Sequence, residues 1–358
     1  MQHSVSVRGW LWVCAALCAA MVLVGGITRL TGSGLSITEW KVVSGSLPPT
    51  SAADWDGLFA LYRQSPQYLK VNGHFGLDDF KSIFWWEWGH RLLGRVTGLV
   101  YLFPFLWFWR RKKLDGWMVK RGLLLFAMVS FQGAVGWLMV KSGLVDLPRV
   151  SHFRLALHLT TALVTMSVTI WTALRCGVRE GAPSFGRSAP AWAFLGLLAV
   201  QINWGAFVAG LRAGLFFNTF PSMGGVWVSP IVGNTSPLWL DLLENPASVQ
   251  FAHRWVAVLV VLAAAALALV MWRVRAAQLP ALLLGGAANL QFNLGVFTLL
   301  YFREAPVVLG ALHQAGAVLL LTAGVVATFT LAYAPAVVRP KLSAAVPAEV
   351  TTASSCAR

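Results

Sequence analysis

Two short clusters place charge beside imidazole at the lip of an apolar segment: Glu87-Trp88-Gly89-His90-Arg91 and, later, Phe251-Ala252-His253-Arg254-Trp255. Ionisable groups at membrane depth are costly and rare, so clusters of this kind mark functional sites. Two further histidines, in Ala156-Leu157-His158 and Ala311-Leu312-His313, stand near the start of other apolar segments. Two imidazoles at one depth, on two helices of one bundle, suit bis-histidine ligation of a haem iron. The anionic propionates of a haem would find bidentate partners in arginines at a helix lip, for which Arg91, Arg95 and Arg254 are the candidates. Zinc fits less well, because neither pair has a cysteine or an evident third ligand. His3, His74 and His152 fall in a tail, a polar loop and an interface, and read as solvated.

Glu87 breaks the likeness between the clusters. It stands three residues before His90, whereas Gln250 stands three residues before His253. One pair therefore has a carboxylate able to accept or deliver protons, and the other has an amide. The competing role for Glu87 is an ion pair with Arg91, four residues later on the same helix face. If Glu87 is catalytic, His90 and His158 carry chemistry, while His253 and His313 carry electrons or hold structure.

The elements that must position these groups follow from hydropathy. The chain of 358 residues is 57% hydrophobic and 11% charged, with mean hydropathy +0.67. A soluble domain carries about 25% charged residues, so this is an all-α polytopic membrane protein. Eight segments are long enough to span: residues 9–27, 92–109, 122–140, 153–174, 191–211, 252–272, 279–301 and 307–334. Between them lie two long gaps, 31–90 and 212–250, with interfacial indoles such as Trp85, Trp86, Trp88, Trp227 and Trp239.

The net charge of +15 does not indicate nucleic acid, because its sources sit in short loops between spans. Arg110, Arg111, Lys112, Lys113, Lys120 and Arg121 follow the second span, Arg175, Arg179 and Arg187 the fourth, and Arg273 and Arg275 the sixth. With Arg339, Lys341 and Arg358 in the tail, these place both termini in the cytoplasm and both long gaps outside. The four spans bearing His90, His158, His253 and His313 then all begin on the outer side. At ~1.5 Å rise per residue, six residues into a helix is about 9 Å below the surface. The start of the chain lacks an Arg- and Ser-rich import leader, so the expected setting is a bacterial inner membrane. Cys14 and Cys18 read as packing residues, and with Cys176 and Cys356 none lies in an outer gap.

The chain also repeats itself. His90-Arg91 matches His253-Arg254, Leu123-Leu124-Leu125 matches Leu282-Leu283-Leu284, Gln132 matches Gln291, and Ala156-Leu157-His158 matches Ala311-Leu312-His313. The first and fifth spans both end in Gly and Arg, residues 25–29 against 205–212, a weaker match. Each copy holds four spans, and an even number preserves orientation. The expectation is two tandem four-helix bundles related by a pseudo-two-fold axis along the membrane normal. The boundaries are 1–189, including the outer segment 31–90, and 190–338, followed by a disordered cytoplasmic tail, 339–358.

The run Gly25-Gly26-Ile27-Thr28-Arg29-Leu30-Thr31-Gly32-Ser33-Gly34-Leu35-Ser36-Ile37-Thr38-Glu39-Trp40, with Gly45-Ser46-Leu47-Pro48-Pro49, resembles the first-loop signature of the haem A synthase family. Glu87-Trp88-Gly89-His90-Arg91-Leu92-Leu93-Gly94-Arg95 matches the family's next motif. The resemblance is to the alpha-proteobacterial and mitochondrial branch, covers residues 9–334, and weakens over 212–250. It implies haem b between His253 and His313, and the substrate, haem O, at His90 and His158 beside the loop carboxylate Glu87. The implied reaction oxidises the methyl group at porphyrin carbon 8 to a formyl group by successive hydroxylations, giving haem A for cytochrome c oxidase. Another branch carries a cysteine pair in the first outer loop; here no cysteine lies between Cys18 and Cys176, which excludes a thiol mechanism there. The implied partners are haem O and its synthase, an electron partner outside the chain, and the lipid bilayer; a homo-oligomer is left open. The competing classes are a di-haem b-type electron carrier and a haem transporter or chaperone, and Glu87 opposite Gln250 argues against a pure carrier.

Overall fold

The computed structural model describes residues 4–41, 44–144, 148–178 and 182–333. His3, Arg179, Ala334, Cys356, and Arg339, Lys341 and Arg358 with the tail 339–358, lie outside the described residues. The described residues form α1 (Val5–Leu30), α2 (Ala52–Arg63), α3 (Pro66–Lys70), α4 (Leu77–Arg110), α5 (Gly116–Lys141), α6 (His152–Arg175), α7 (Phe185–Gly210), α8 (Leu238–Glu244), α9 (Pro246–Trp272), α10 (Gln278–Tyr301) and α11 (Pro306–Tyr333). Among these, eight are long and apolar enough to cross a membrane: α1, α4, α5, α6, α7, α9, α10 and α11. The protein is an all-α, multi-pass membrane protein.

Local sequence explains where the spans start. Asp115 caps α5 by accepting from the Met118 amide at 2.8 Å. Asn245 caps α9 by accepting from the Ala247 amide at 3.0 Å, and Pro246 takes the first helical position, where its missing N–H costs nothing. Leu262, Leu269, Leu282 and Leu283 stay exposed on the helix surfaces. Lipid, not water, solvates side chains of that kind, and each helix satisfies its own backbone.

The spans pack as two rings of four. α1 lies against α4, α4 against α5, α5 against α6, and α6 closes onto α1. α7 lies against α9, α9 against α10, α10 against α11, and α11 closes onto α7. The rings meet through α1 with α11, α6 with α7, and α6 with α11. Exchanging α1, α4, α5 and α6 for α7, α9, α10 and α11 leaves this set of neighbours unchanged, the pattern a two-fold between the halves requires. α11 is the innermost span, with 61% of its apolar window buried against 11% for α5.

The outer segment 31–90 differs from the loop expected of it. It contains α2, α3 and the first turns of α4, which begins at Leu77 rather than at His90. The reason is a short amphipathic stripe. Phe80, Ile83, Phe84 and Glu87 follow i, i+3, i+4, i+7 spacing and are all buried. Tyr62 joins the first three in an aromatic cluster flanked by Trp55, Phe59 and Tyr68. The segment 31–90 thus has a core of its own, and α4 runs continuously from it into a span of membrane length.

Candidate functional site

The four histidines occupy equivalent stations. His158, His253 and His313 lie six or seven residues into α6, α9 and α11, counted from His152, Pro246 and Pro306. His90 lies deeper into α4 by count only, because that helix begins earlier. Each imidazole faces a glycine on the preceding span. A Cβ at Gly25 on α1 would lie 3.0 Å from His90 Nε2. A Cβ at Gly136 on α5 would lie 3.1 Å from His158 Cε1. At Gly205 on α7 and Gly295 on α10 the distances to Cε1 of His253 and His313 are 3.0 Å each. Carbon atoms pack best at about 3.5–4.0 Å, so a side chain at any of the four would displace a ring.

Within the second ring the two imidazoles stand 6.5 Å apart between centroids, with their planes at 89°. Two metal–imidazole bonds of about 2 Å each, plus the distance from each nitrogen to its ring centre, come to about 6 Å. The separation of the His253 and His313 rings is of that size. His90 and His158 lie within electrostatic reach of each other in the first ring. Among the described residues no three His, Cys, Asp or Glu side chains converge as a metal cage.

The charged groups beside the histidines hold the outer segments. Glu87 is 2% exposed. One carboxylate oxygen accepts from Ser36 Oγ at 2.7 Å and the Ile37 amide at 2.8 Å. The other accepts from Arg91 Nη2 at 2.6 Å and Nε at 3.2 Å. Arg91 also donates to the carbonyls of Ile37 and Glu39 at 2.8 and 3.0 Å, and lies over the Trp40 ring. Arg95 donates to the Lys41 carbonyl at 2.9 Å. In the second half Gln250 donates to the Phe217 carbonyl at 3.1 Å. Arg254 donates to the carbonyls of Phe217, Thr219 and Ser222 at 2.8, 2.7 and 3.1 Å. The arginines expected to meet propionates thus direct these donors to backbone carbonyls of the outer segments. The Glu87–Arg91 ion pair is present in full, the alternative role weighed against a catalytic one.

Sequence reasoning passed over three features. One is the set of glycines facing the histidines. Another is Gln201, which donates to the His253 carbonyl at 3.1 Å as Gln132 does to the His158 carbonyl at 3.3 Å. Its signal was the spacing Gln-x3-Gly, which recurs at 132–136, 201–205 and 291–295. The last is Asp241, fully buried, which accepts from the amides of Gly233 and Thr235 at 3.0 and 2.9 Å and from Asn245 Nδ2 at 2.8 Å. Burial pushes its carboxyl pKa up, but hydrogen bonds from Ser248, Asn245, Thr235 and Gly233 outweigh this and hold it below the ordinary carboxylate range. No motif marks it. Cys14 and Cys18 are buried as expected of packing residues, Cys176 is buried too, and Cys18 Sγ lies 3.3 Å from the Tyr101 hydroxyl.

Residues 8–325 match the family described as cytochrome oxidase assembly protein. The chain belongs to that family. It is 48% identical over 325 residues to a haem A synthase of Rhodopseudomonas palustris (strain BisA53), covering 89% of each chain. It is 45% identical over 326 residues to a haem A synthase of Rhodospirillum centenum, covering 88% of this chain and 85% of that one. A haem A synthase of Bradyrhizobium sp. (strain BTAi1) is 46% identical over 324 residues, with 88% and 89% covered. The resemblance seen in the first outer segment therefore extends over almost the whole described membrane part, and the cytochrome oxidase assembly family accounts for both rings.

Proposed function

We propose that this protein is a haem A synthase, an oxidoreductase that converts the carbon-8 methyl group of haem O to a formyl group by successive hydroxylations. The observation that carries this is the pairing of two histidine stations, ring by ring, in a chain nearly half identical to haem A synthases over about nine-tenths of its length. Residues 1–189 take the substrate, haem O, at His90 and His158; residues 190–338 hold haem b through His253 and His313. When bound, haem b supplies one-electron redox chemistry beside the substrate ring.

The chain's own residues do the rest. Gly25, Gly136, Gly205 and Gly295 leave room for four imidazoles facing the ring interiors. Glu87 and Arg91 fasten residues 36–39 to α4 one turn from His90. The carboxylate three residues before His90 is also the candidate for moving protons released from the substrate methyl, and Arg91 Nη2 lies 2.6 Å from it. The setting that the loop charges favour is a bacterial inner membrane, with both termini cytoplasmic and the histidines toward the outer face. The reaction needs an outside electron partner, and haem O synthase is the source from which the substrate would pass.

The test is pigment extraction from membranes that contain a haem O source. With the wild-type chain, haem A appears. With Glu87→Ala, haem b is retained and haem A is lost. Haem-loaded wild-type protein that yields only haems B and O overturns the assignment, and full product from Glu87→Ala reduces Glu87 to the fastening role.

A further inference from the structure

The histidine stations share one more part. One helical turn before the glycine that faces each imidazole, three of the four spans carry glutamine: Gln132 before Gly136, Gln201 before Gly205 and Gln291 before Gly295. The fourth, α1, carries Met21 before Gly25. Residues four apart on a helix share a face, so each glutamine looks at the same neighbouring helix as its glycine. The contacts agree. Gln291 Nε2 lies 3.2 Å from His313 Nδ1, while Gln132 and Gln201 donate to the backbone carbonyls of His158 and His253.

The remaining atoms at these stations are unbalanced. The side-chain carbonyls of Gln132, Gln201 and Gln291 are all buried without a hydrogen-bond partner, and so are Nδ1 of His158 and Nδ1 of His253. A buried donor or acceptor left unpaired costs about 1–3 kcal/mol. A neutral imidazole that ligates through Nε2 carries its proton on Nδ1 and needs an acceptor there. An amide supplies one by presenting its oxygen in place of its nitrogen. At His313 this is a half-turn of the Gln291 amide, and it satisfies the partnerless oxygen in the same move.

We propose that Gln291, Gln201 and Gln132 are positioning residues whose amide oxygens accept the Nδ1 proton of His313, His253 and His158, aiming Nε2 at a haem iron, and that Met21 withholds this acceptor from His90. This rests on the reading of the two rings as haem-binding. It gives the resident haem two amide-held ligands and the substrate haem one. The asymmetry suits a substrate that must leave: α1 carries Met21 where the other three spans carry glutamine. Outer partners of metal-bound histidine set both ligand basicity and metal affinity.

The experiment uses the full-length protein, purified with its haem, and measures the midpoint potential and low-spin spectrum of haem b. Gln291→Glu makes the acceptor anionic and raises imidazole basicity, so it lowers the potential; Gln291→Leu removes the acceptor and raises it. A tenfold change in relative ferric and ferrous affinity corresponds to ~59 mV for a one-electron couple, and shifts of that order in opposite directions are expected. Haem affinity falls roughly 10–100-fold in the leucine variant. If neither Gln291 variant holds haem, the same pair of substitutions at Gln201, which serves the other ligand of the same haem, decides by the same criterion. Potentials and spectra equal to wild type in the loaded variants overturn the proposal while leaving the functional reading intact. Wild-type protein that purifies without haem overturns both.

Discussion

The two halves of this protein use the same helices, the same glycines and the same histidine positions, yet they fasten their outer segments differently. In the first half Glu87 and Arg91 form a buried ion pair that ties down residues 36–39. In the second half the corresponding Gln250 and Arg254 reach only backbone carbonyls of residues 217–222, and the buried carboxylate has moved to Asp241, in the short helix α8. The difference teaches that the histidine frame and the lid above it vary separately. A carboxylate three residues before the histidine places charge next to the site. A carboxylate in α8 orders an outer segment without bringing charge to the histidines.

The largest effect is expected where a glycine faces a ring. Gly295→Val should drive a branched side chain against His313, with about 1–3 kcal/mol of packing strain and loss of the haem b spectrum. Gly25→Val should retain that spectrum and lose haem A, because the nearest ring it meets is His90 in the first half. Optical spectra and pigment extraction on both variants check this, and equal losses from both would erase the division between halves.

Next come the fastenings. Glu87→Ala leaves the Arg91 guanidinium partly buried without its carboxylate, and removing one partner of a buried pair costs about 3–5 kcal/mol. Gln250→Ala removes one neutral hydrogen bond, worth about 1 kcal/mol. Hydrogen exchange should therefore rise sharply at residues 36–39 in the first variant and slightly at residues 217–222 in the second.

The smallest is a pH effect at Asp241 in the second half. The carboxyl of Asp241 is held below its unfolded value, so its contribution to stability is complete above the ordinary carboxylate range. It is lost progressively as pH falls below about 4. Exchange at residues 233–245 should increase in that direction in the wild type, and Asp241→Asn should be looser at neutral pH and flat across the same window.

Much of this molecule is legible without coordinates. The eight spans follow from runs of apolar residues, because a membrane helix must be apolar along its whole length. His90, His158, His253 and His313 stand out because an imidazole in such a run needs a reason. Glu87 opposite Gln250 was visible as soon as the halves were aligned. Other parts were not legible, for reasons of reach. The outer segment 31–90 holds Gly, Pro and polar residues that read as loop, yet Tyr62, Phe80, Ile83 and Phe84 bury one another there. Only long-range packing makes that stripe a core.

Sequence by itself determined the class of protein, the number of spans, the duplicated histidine pairs and the one-sided carboxylate, since each depends on residue type and spacing along one helix. Tertiary structure alone decided what each of those residues touches. It turned Arg91, Arg95 and Arg254 toward backbone carbonyls, set a glycine against each of His90, His158, His253 and His313, and put an amide beside three of those four. Those facts belong to pairs of helices, and the partner of a side chain across a helix interface is fixed by packing that no single segment encodes.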